Sequence, residues 1–387
     1  GTRQYDGTTN IAAADISSIT DTVNSEVLTM SGGLGTTSSA NVGAYNLVNT
    51  SQGSLTLSNG PSGANQGLAS NYTLTGGTQD YTITQRVLTS SGSKTYDANT
   101  NALAADITLS NLVSGEALNH SGTASISSAN AGSYTITNLA GITIADGSGG
   151  TASNYTLTGG THNFTVNRRV VSVSGTRLYD ATTNAVASDL STHANLVGSE
   201  TLNLSGTGTI ASKNVGSNKT VSVGTLALAD GSNGGLAANY TLSGGTHQLT
   251  VNRRPLAATI ARQYDGTKTA AGSDLSSFDA LQGGETLTLS GSGTVGDENV
   301  ANGQGVTLGT LALVNGTGLA SNYSLNSASL NITKRVLNSS GSKTYDANTN
   351  ALAGAITLSN LVSGEALNHS GTATISSANA GSYTITN

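Results

Sequence analysis

The sequence predicts a mainly β protein built as a tandem array of units of about 83 residues. Three observations predict it. The phrase GSKTYDANTNALA stands at residues 92–104 and again, unchanged, at 341–353, 249 residues on, which is three times 83. Around it, residues 87–138 and 336–387 differ at only four of fifty-two positions: Thr89/Asn338, Ala105/Gly354, Asp106/Ala355 and Ser125/Thr374. Elsewhere apolar residues alternate with Thr, Ser and Asn, the period of a half-buried strand, and glycine is 50 of 387 residues, a supply of turns.

The repeat is read from its landmarks. Tyr-Asp recurs at Tyr5-Asp6, Tyr96-Asp97, Tyr179-Asp180, Tyr264-Asp265 and Tyr345-Asp346. About twenty residues later comes a Glu: Glu26, Glu116, Glu200, Glu285, Glu365. Asn-Val/Ala-Gly follows at Asn41, Asn130, Asn214 and Asn379, while the fourth copy reads Asn299-Val300-Ala301. Next is Asn-Tyr, with Tyr72, Tyr155, Tyr240 and Tyr323. Basic residues close each copy: Arg86, Arg168-Arg169, Arg253-Arg254 and Lys334-Arg335. The boundaries are therefore 1–86, 87–169, 170–254, 255–335 and 336–387. The first copy is expected to lack its opening strand and the last to be truncated, as in a window cut from a longer array.

Within the third copy, VVSVSGTRLYD (170–180), ETLNLSGTGTIA (200–211) and KTVSVGTLALAD (219–230) alternate and read as strands. NYTLSGGTHQLTV (239–251) reads as two short strands in a hairpin around Gly244-Gly245. Residues 182–197 fit a short helix or a meandering edge strand. The inward set is Val171, Val173, Leu202, Leu204, Val221, Val223, Leu226, Leu228, Tyr240, Leu242, Leu249 and Val251. Each repeat is expected to close its own small core. The junction HQLTVNRRPLAATIARQYD (247–265) holds no Gly/Ser linker, so consecutive repeats are expected to form a stiff, elongated rod. Arg254 and Arg262 lie eight residues apart, an even spacing that puts both on one strand face.

Composition narrows the function. Charged residues are 9 % and net charge is −6, with no basic stripe to neutralise phosphates, so nucleic acid is not an expected partner. The absence of Cys removes disulfides, zinc ribbons and thiol nucleophiles. No run of eighteen apolar residues is present, so no membrane-inserting segment is expected in this window. No nucleophile elbow, zinc helix or Walker loop occurs, and no catalytic, cofactor or metal residue is assigned.

The Asp of Tyr-Asp reads as an Asx-turn acceptor and the Tyr as a core-edge ring with its hydroxyl on backbone. Copies 1 and 4 continue with Gly7 and Gly266, the others with Ala98, Ala181 and Ala347, so the turn is not expected to need a left-handed residue. The recurring Glu and basic residues fit either a buried salt bridge or surface charge. Asp146-Gly147 and Asp230-Gly231 read as plain turns, and His120, His162, His193, His247 and His369 as surface residues.

These motifs together, in this order and five times over, resemble the YDG/MBG-type repeats of very large bacterial surface proteins, many of them similar to filamentous-haemagglutinin adhesins exported by two-partner secretion. The resemblance implies a β-sandwich-like domain, with a β-grasp-like one as the alternative, used as a non-catalytic extracellular stalk or fibre segment in cell adhesion or a biofilm matrix. It implies a secreted or cell-surface location. The expected partners are the neighbouring repeats, self-association into fibres, and cell-surface or matrix glycans or proteins. A multivalent binding array is the second reading, with Tyr45, Tyr134 and Tyr383 as its candidate contact position.

Overall fold

The computed structural model describes residues 1–46, 50–136 and 139–386. It is mainly β, and among the described residues every helix is a single three-residue 3-10 turn. The chain divides into two compact units. The first comprises Gly1–Ser172, His193–Asn203 and Leu228–Gly245, the second Val173–Thr192, Leu204–Ala227 and Thr246–Asn387.

Repeat 2, in the first unit, shows how the sequence makes its strands. The opening strand Thr89–Thr95 pairs in parallel with the closing strand His162–Asn167. Ile107–Ser110 and Gly132–Thr135 flank them antiparallel, giving a four-stranded mixed sheet. Asn101–Leu103, Leu118–Ser125 and Ile142–Asp146 form an antiparallel three-stranded sheet. The long strand Leu118–Ser125 changes partner near Gly122, whose φ of 101° admits no side chain without strain. The buried residues Ala102, Ala124, Ile142, Phe164 and Val166 come from both sheets, on alternate positions.

Repeat 4, in the second unit, has the same plan. Arg254–Gln263 lies between Leu275–Phe278 and Tyr323–Thr333, with Ala301–Gly305 beyond. Its core joins Ala258, Ile260, Leu330 and Ile332 of this sheet to Ala270, Leu289 and Leu311. Arg254, Leu256, Ala258, Ile260 and Arg262 alternate on one face, so two guanidinium groups bracket a buried apolar run. The layering is sandwich-like. The first and last strands pair in parallel at the sheet centre.

Most of the predicted core holds. Val171, Val173, Leu202, Val221, Leu226, Tyr240, Leu242, Leu249 and Val251 are buried, while Leu204, Val223 and Leu228 are half-buried. Residues 182–197 contain strands Asn184–Val186 and Thr192–Ala194 separated by the turn Ala187–Asp189.

Four expectations are corrected. Repeat 1 does have an opening strand, Thr2–Gln4, paired in parallel with Tyr81–Thr84. The Gly-Gly segment is not a hairpin. In repeat 2 both short strands, Tyr155–Thr156 and His162–Asn167, pair in parallel with the opening segment. Between the pairs Val87–Thr156 and Ser90–His162 the closing segment advances six residues while the opening one advances three. The extra residues loop out at Gly159, φ 86°. Repeat 4 lacks the Gly-Gly and keeps one strand, Tyr323–Thr333, with a single bulge.

Third, two histidines expected at the surface are buried. His162 and His247 are 4 % exposed. His162 Nε2 bonds the Leu157 carbonyl at 2.9 Å and Nδ1 lies 2.9 Å from Ser90 Oγ. In repeat 1, Gln79 sends its amide to the Leu74 carbonyl over the same five-residue reach. The imidazole thus acts as a buried amide-like donor. Fourth, a core is not always closed within one repeat: the cluster of repeat 4 stays inside it, but that of repeat 1 does not. One apolar cluster runs from Tyr5, Ile11, Tyr81 and Ile83 of repeat 1 into Leu88 and Tyr155 of repeat 2.

The His162→Gln variant should retain wild-type stability to within about 1 kcal/mol, because the amide replaces the ring's donor. His162→Ala should lose about 2–3 kcal/mol through a cavity and an unpaired carbonyl. Urea denaturation of both variants checks the difference.

Candidate functional site: the junction between repeats

The recurring residues converge where one repeat meets the next. A turn closed by the Glu116 N–H on the Val113 carbonyl, 3.0 Å, presents the Glu116 carboxylate. One oxygen accepts the hydroxyl of Tyr5, from the preceding repeat, at 2.6 Å. The other accepts the hydroxyl of Tyr155, from the same repeat, at 2.6 Å. The Tyr155 oxygen in turn accepts the Val113 N–H at 3.1 Å. The two rings meet edge to face, centroids 5.4 Å apart at 78°. Charge-assisted bonds of this type contribute about 1.5–3 kcal/mol each and an aromatic pair about 0.5–1.5 kcal/mol.

The clamp recurs. Glu200 takes Tyr96 at 2.8 Å and Tyr240 at 2.6 Å, with rings 5.4 Å apart. Glu285 takes Tyr179 at 2.6 Å and Tyr323 at 2.9 Å, with rings 5.3 Å apart. Tyr264 bonds Glu365, and in repeat 1 Tyr72 bonds Glu26 at 2.6 Å. The Tyr96–Glu200–Tyr240 clamp lies wholly in the first compact unit and Tyr179–Glu285–Tyr323 wholly in the second. The division of the chain passes through repeat 3 and leaves the junctions whole.

A second bond set accompanies each clamp. Asn154, Asn239 and Asn322 are each 1 % exposed. Asn154 Oδ1 accepts the Val42 N–H at 2.9 Å and its Nδ2 donates to Asn41 Oδ1 at 2.9 Å. Asn239 does the same with Ala131 and Asn130, and Asn322 with Val215 and Asn214. The Asn of Asn-Tyr therefore reads the Asn-Val/Ala-Gly loop of the preceding repeat. Buried amides left unpaired are costly, so this contact sets register as well as adhesion between repeats.

Arginine completes the joint. Arg86 donates to the Asn111 carbonyl at 2.6 Å, to Asn111 Oδ1 at 2.9 Å and to the Tyr5 carbonyl at 3.3 Å. Arg169 bonds Asn195 and Tyr96 alike, and Arg335 bonds Asn360 and Tyr264. Arg254 reaches the Ala280 and Tyr179 carbonyls. The planar fork suits two carbonyls at once, which a Lys cannot reproduce. The preceding basic residues of each pair, Arg168, Arg253 and Lys334, are exposed.

The Tyr-Asp loop is held from within. Asp6, Asp97, Asp180, Asp265 and Asp346 each accept the backbone N–H two residues on, as Asx-turns. A cation three residues earlier pairs with each Asp: Arg3, Lys94 (2.8 Å), Arg177 (2.8 Å), Arg262 and Lys343 (2.8 Å). Lys94 also donates to the Asn99 and Asn101 carbonyls, so its ammonium is caged as a charge. The residue after Asp is left-handed in every copy, at φ 81°, 62°, 64°, 72° and 58° for Gly7, Ala98, Ala181, Gly266 and Ala347. This corrects the expectation drawn from alanine. A non-glycine residue there costs about 1–2 kcal/mol, tolerated because the Asx-turn and its cation fix the loop.

Burial, and then the carboxylate beside them, push the Tyr5, Tyr96 and Tyr240 hydroxyls up to about 12. Tyr323 also rises to about 12, by burial and Glu285 against the opposing Gln282 N–H. Burial pushes the Glu285 carboxyl up, but Lys213 and the two tyrosines outweigh it and hold it below the ordinary carboxylate range. Lys213 Nζ lies 2.7 Å from Glu285 Oε1 and 5.9 Å from the Tyr179 ring centroid. Copies 1, 2 and 5 have Ala40, Ala129 and Ala378 at the Lys213 position, and copy 4 has Glu298.

Of the predicted residues, the first four Tyr-Asp tyrosines reach the next repeat, whereas Tyr345 is exposed. The recurring Glu and the paired asparagines stand in the sequence as landmarks of the repeat without an assigned role, and Lys213 belongs to no motif. The signal for the Glu and the asparagines is the fixed spacing of Glu, Asn-Val/Ala-Gly and Asn-Tyr in successive copies, whereas Lys213 occurs in one copy and gives none. Asp146 and Asp230 accept the Ala152 and Ala237 N–H groups as turn caps. Among the described residues no cluster of three or more His, Asp or Glu is placed to hold a metal, and no helix is long and apolar enough to cross a membrane.

Glu200→Ala should weaken the coupling of repeats 2 and 3 by about 2–4 kcal/mol, since two buried hydroxyls lose their acceptor. Hydrogen exchange should show it as faster opening at Tyr96 and Tyr240 with the strand cores still protected. Alkaline pH should act on every clamp. Because the folded-state values of Tyr5, Tyr96, Tyr240 and Tyr323 are raised, their contribution is complete below the unfolded value of about 10. It drains as pH climbs from there towards about 12. Tyrosinate absorbance and circular dichroism recorded together should show late ionisation coincident with loss of structure.

No curated protein matches the chain. Against models of known families, the YDG domain matches residues 79–162, 165–248 and 246–331, three tandem copies spanning most of the chain. The matched ranges take in Tyr96-Asp97, Tyr179-Asp180 and Tyr264-Asp265, and the chain belongs to the YDG domain family.

Proposed function

We propose that this chain is a non-catalytic stalk or fibre segment of a large exported surface protein, in which YDG repeats are locked end to end to hold other parts away from the cell. The observation that carries the reading is that the recurring motif residues are spent on joining repeats. Tyr, Glu, Asn and Arg of each copy bond a neighbour or their own loop, so a linkerless junction gains a buried core and a fixed register. Low charge and the absence of Cys suit export of a long chain. The resemblance to filamentous-haemagglutinin-like adhesins supports a cell-surface setting, with two-partner secretion as the route.

The binding-array reading has less support. Tyr45 and Tyr134 lay their hydroxyls on the Asn41 and Asn130 carbonyls, at 2.6 and 2.7 Å, and are half-buried. They serve the loop that the next repeat's Asn grips.

A test uses the lack of native cysteine. Spin labels at Thr82→Cys and Asn163→Cys, exposed positions of repeats 1 and 2, should give one narrow distance distribution. Adding Glu116→Ala and Asn154→Ala should broaden it. A broad distribution in the otherwise native chain contradicts the stalk reading.

A further inference from the structure

In any array under tension, load enters a repeat at its first strand and leaves at its last. In repeat 2 those strands lie side by side and parallel, with Ser90 facing His162 and Thr95 facing Asn167. Each is an interior strand, flanked by Ile107–Ser110 on one side and Gly132–Thr135 on the other. The chain enters at Arg86–Val87, already paired with Tyr155–Thr156, and departs beyond Asn167 at the opposite end of the ladder. Pulling these ends apart slides one strand along the other, so the ladder's bonds are loaded together along the strand axis. A pull on two points at the same end opens them one after another.

The second compact unit repeats the geometry in stronger form. Arg254–Gln263 pairs in parallel with Tyr323–Thr333 from Arg254–Tyr323 to Gln263–Thr333, with one bulge. Leu256, Ala258, Ile260, Leu330 and Ile332 bury the inner face of this ladder, so sliding also drags apolar side chains through a packed core.

We propose that each of repeats 1 to 4 is a force-bearing module whose resistance comes from shear of its paired terminal strands, with repeat 4 the most resistant because its closing strand is not interrupted by a Gly-Gly loop. The source of the load rests on the stalk reading; the resistance follows from the strand pairing alone.

The test applies force to the full 387-residue chain through paired cysteines. Pro255→Cys with Thr333→Cys grips opposite ends of the repeat 4 ladder, and Gln263→Cys with Thr333→Cys grips one end; all three positions are exposed. At equal loading rate the first pair should rupture at several-fold higher force than the second. Ser91→Cys with Asn167→Cys against Thr95→Cys with Asn167→Cys repeats the comparison in repeat 2, where the ratio should be smaller. Circular dichroism of each unloaded variant establishes that it is folded. Equal rupture forces for the two directions in folded chains overturn the proposal, and a larger ratio in repeat 2 overturns the ranking. Either failure leaves the spin-label distances, and hence the stalk reading, standing on their own result.

Discussion

A carboxylate shared by two tyrosines is the interaction on which the rest depends. Glu116, Glu200 and Glu285 each offer two oxygens, and each fills both with hydroxyls from different repeats. The geometry is demanding. The turn must aim the carboxylate, the Asn-Tyr segment must present one ring, and the preceding Tyr-Asp loop must present the other. The left-handed alanines, the caged cations and the buried asparagines serve that convergence. A single short joint thereby replaces the linker that a chain of independent domains would need.

The joint also explains why repeats 1 and 2 share one apolar cluster. A repeat of this size buries too little to be lavishly stable. Tyr5 and Tyr155 extend the core of repeat 1 into repeat 2, so part of the apolar burial of these two repeats is shared. Stability is then a sum of intrinsic and nearest-neighbour terms, as in other linear arrays. The joints are also individually tuned. Lys213 adds a cation to the Glu285 clamp, where copies 1, 2 and 5 carry Ala and copy 4 carries Glu298.

Much of this was legible in the sequence, and the limit was one of reach. Alternation located the strands, because a two-residue period reports only which face is buried; Val171, Val173, Leu249 and Val251 are fully or almost fully buried. It did not say which strands pair. Gly244-Gly245 has hairpin chemistry, but its flanking strands, as in repeat 2, pair with an opening segment some seventy residues away. Periodicity hid the site for a related reason. In a repeat, a Tyr and a Glu at fixed spacing are equally consistent with a bond inside one copy and with a bond to the next. Ala98, Ala181 and Ala347 misled because propensity argues against positive φ while the local Asx-turn and its cation impose it. The histidines misled because a polar ring reads as exposed until its partners, here a carbonyl and a serine hydroxyl, are known.

The most direct test of the shared-carboxylate account is a double-mutant cycle across one junction, with Tyr96→Phe in repeat 2 and Glu200→Gln in repeat 3, read by equilibrium unfolding. The account predicts a coupling energy of about 1–2 kcal/mol between residues 104 positions apart in the chain. Additive effects, with no coupling beyond experimental error, would contradict it.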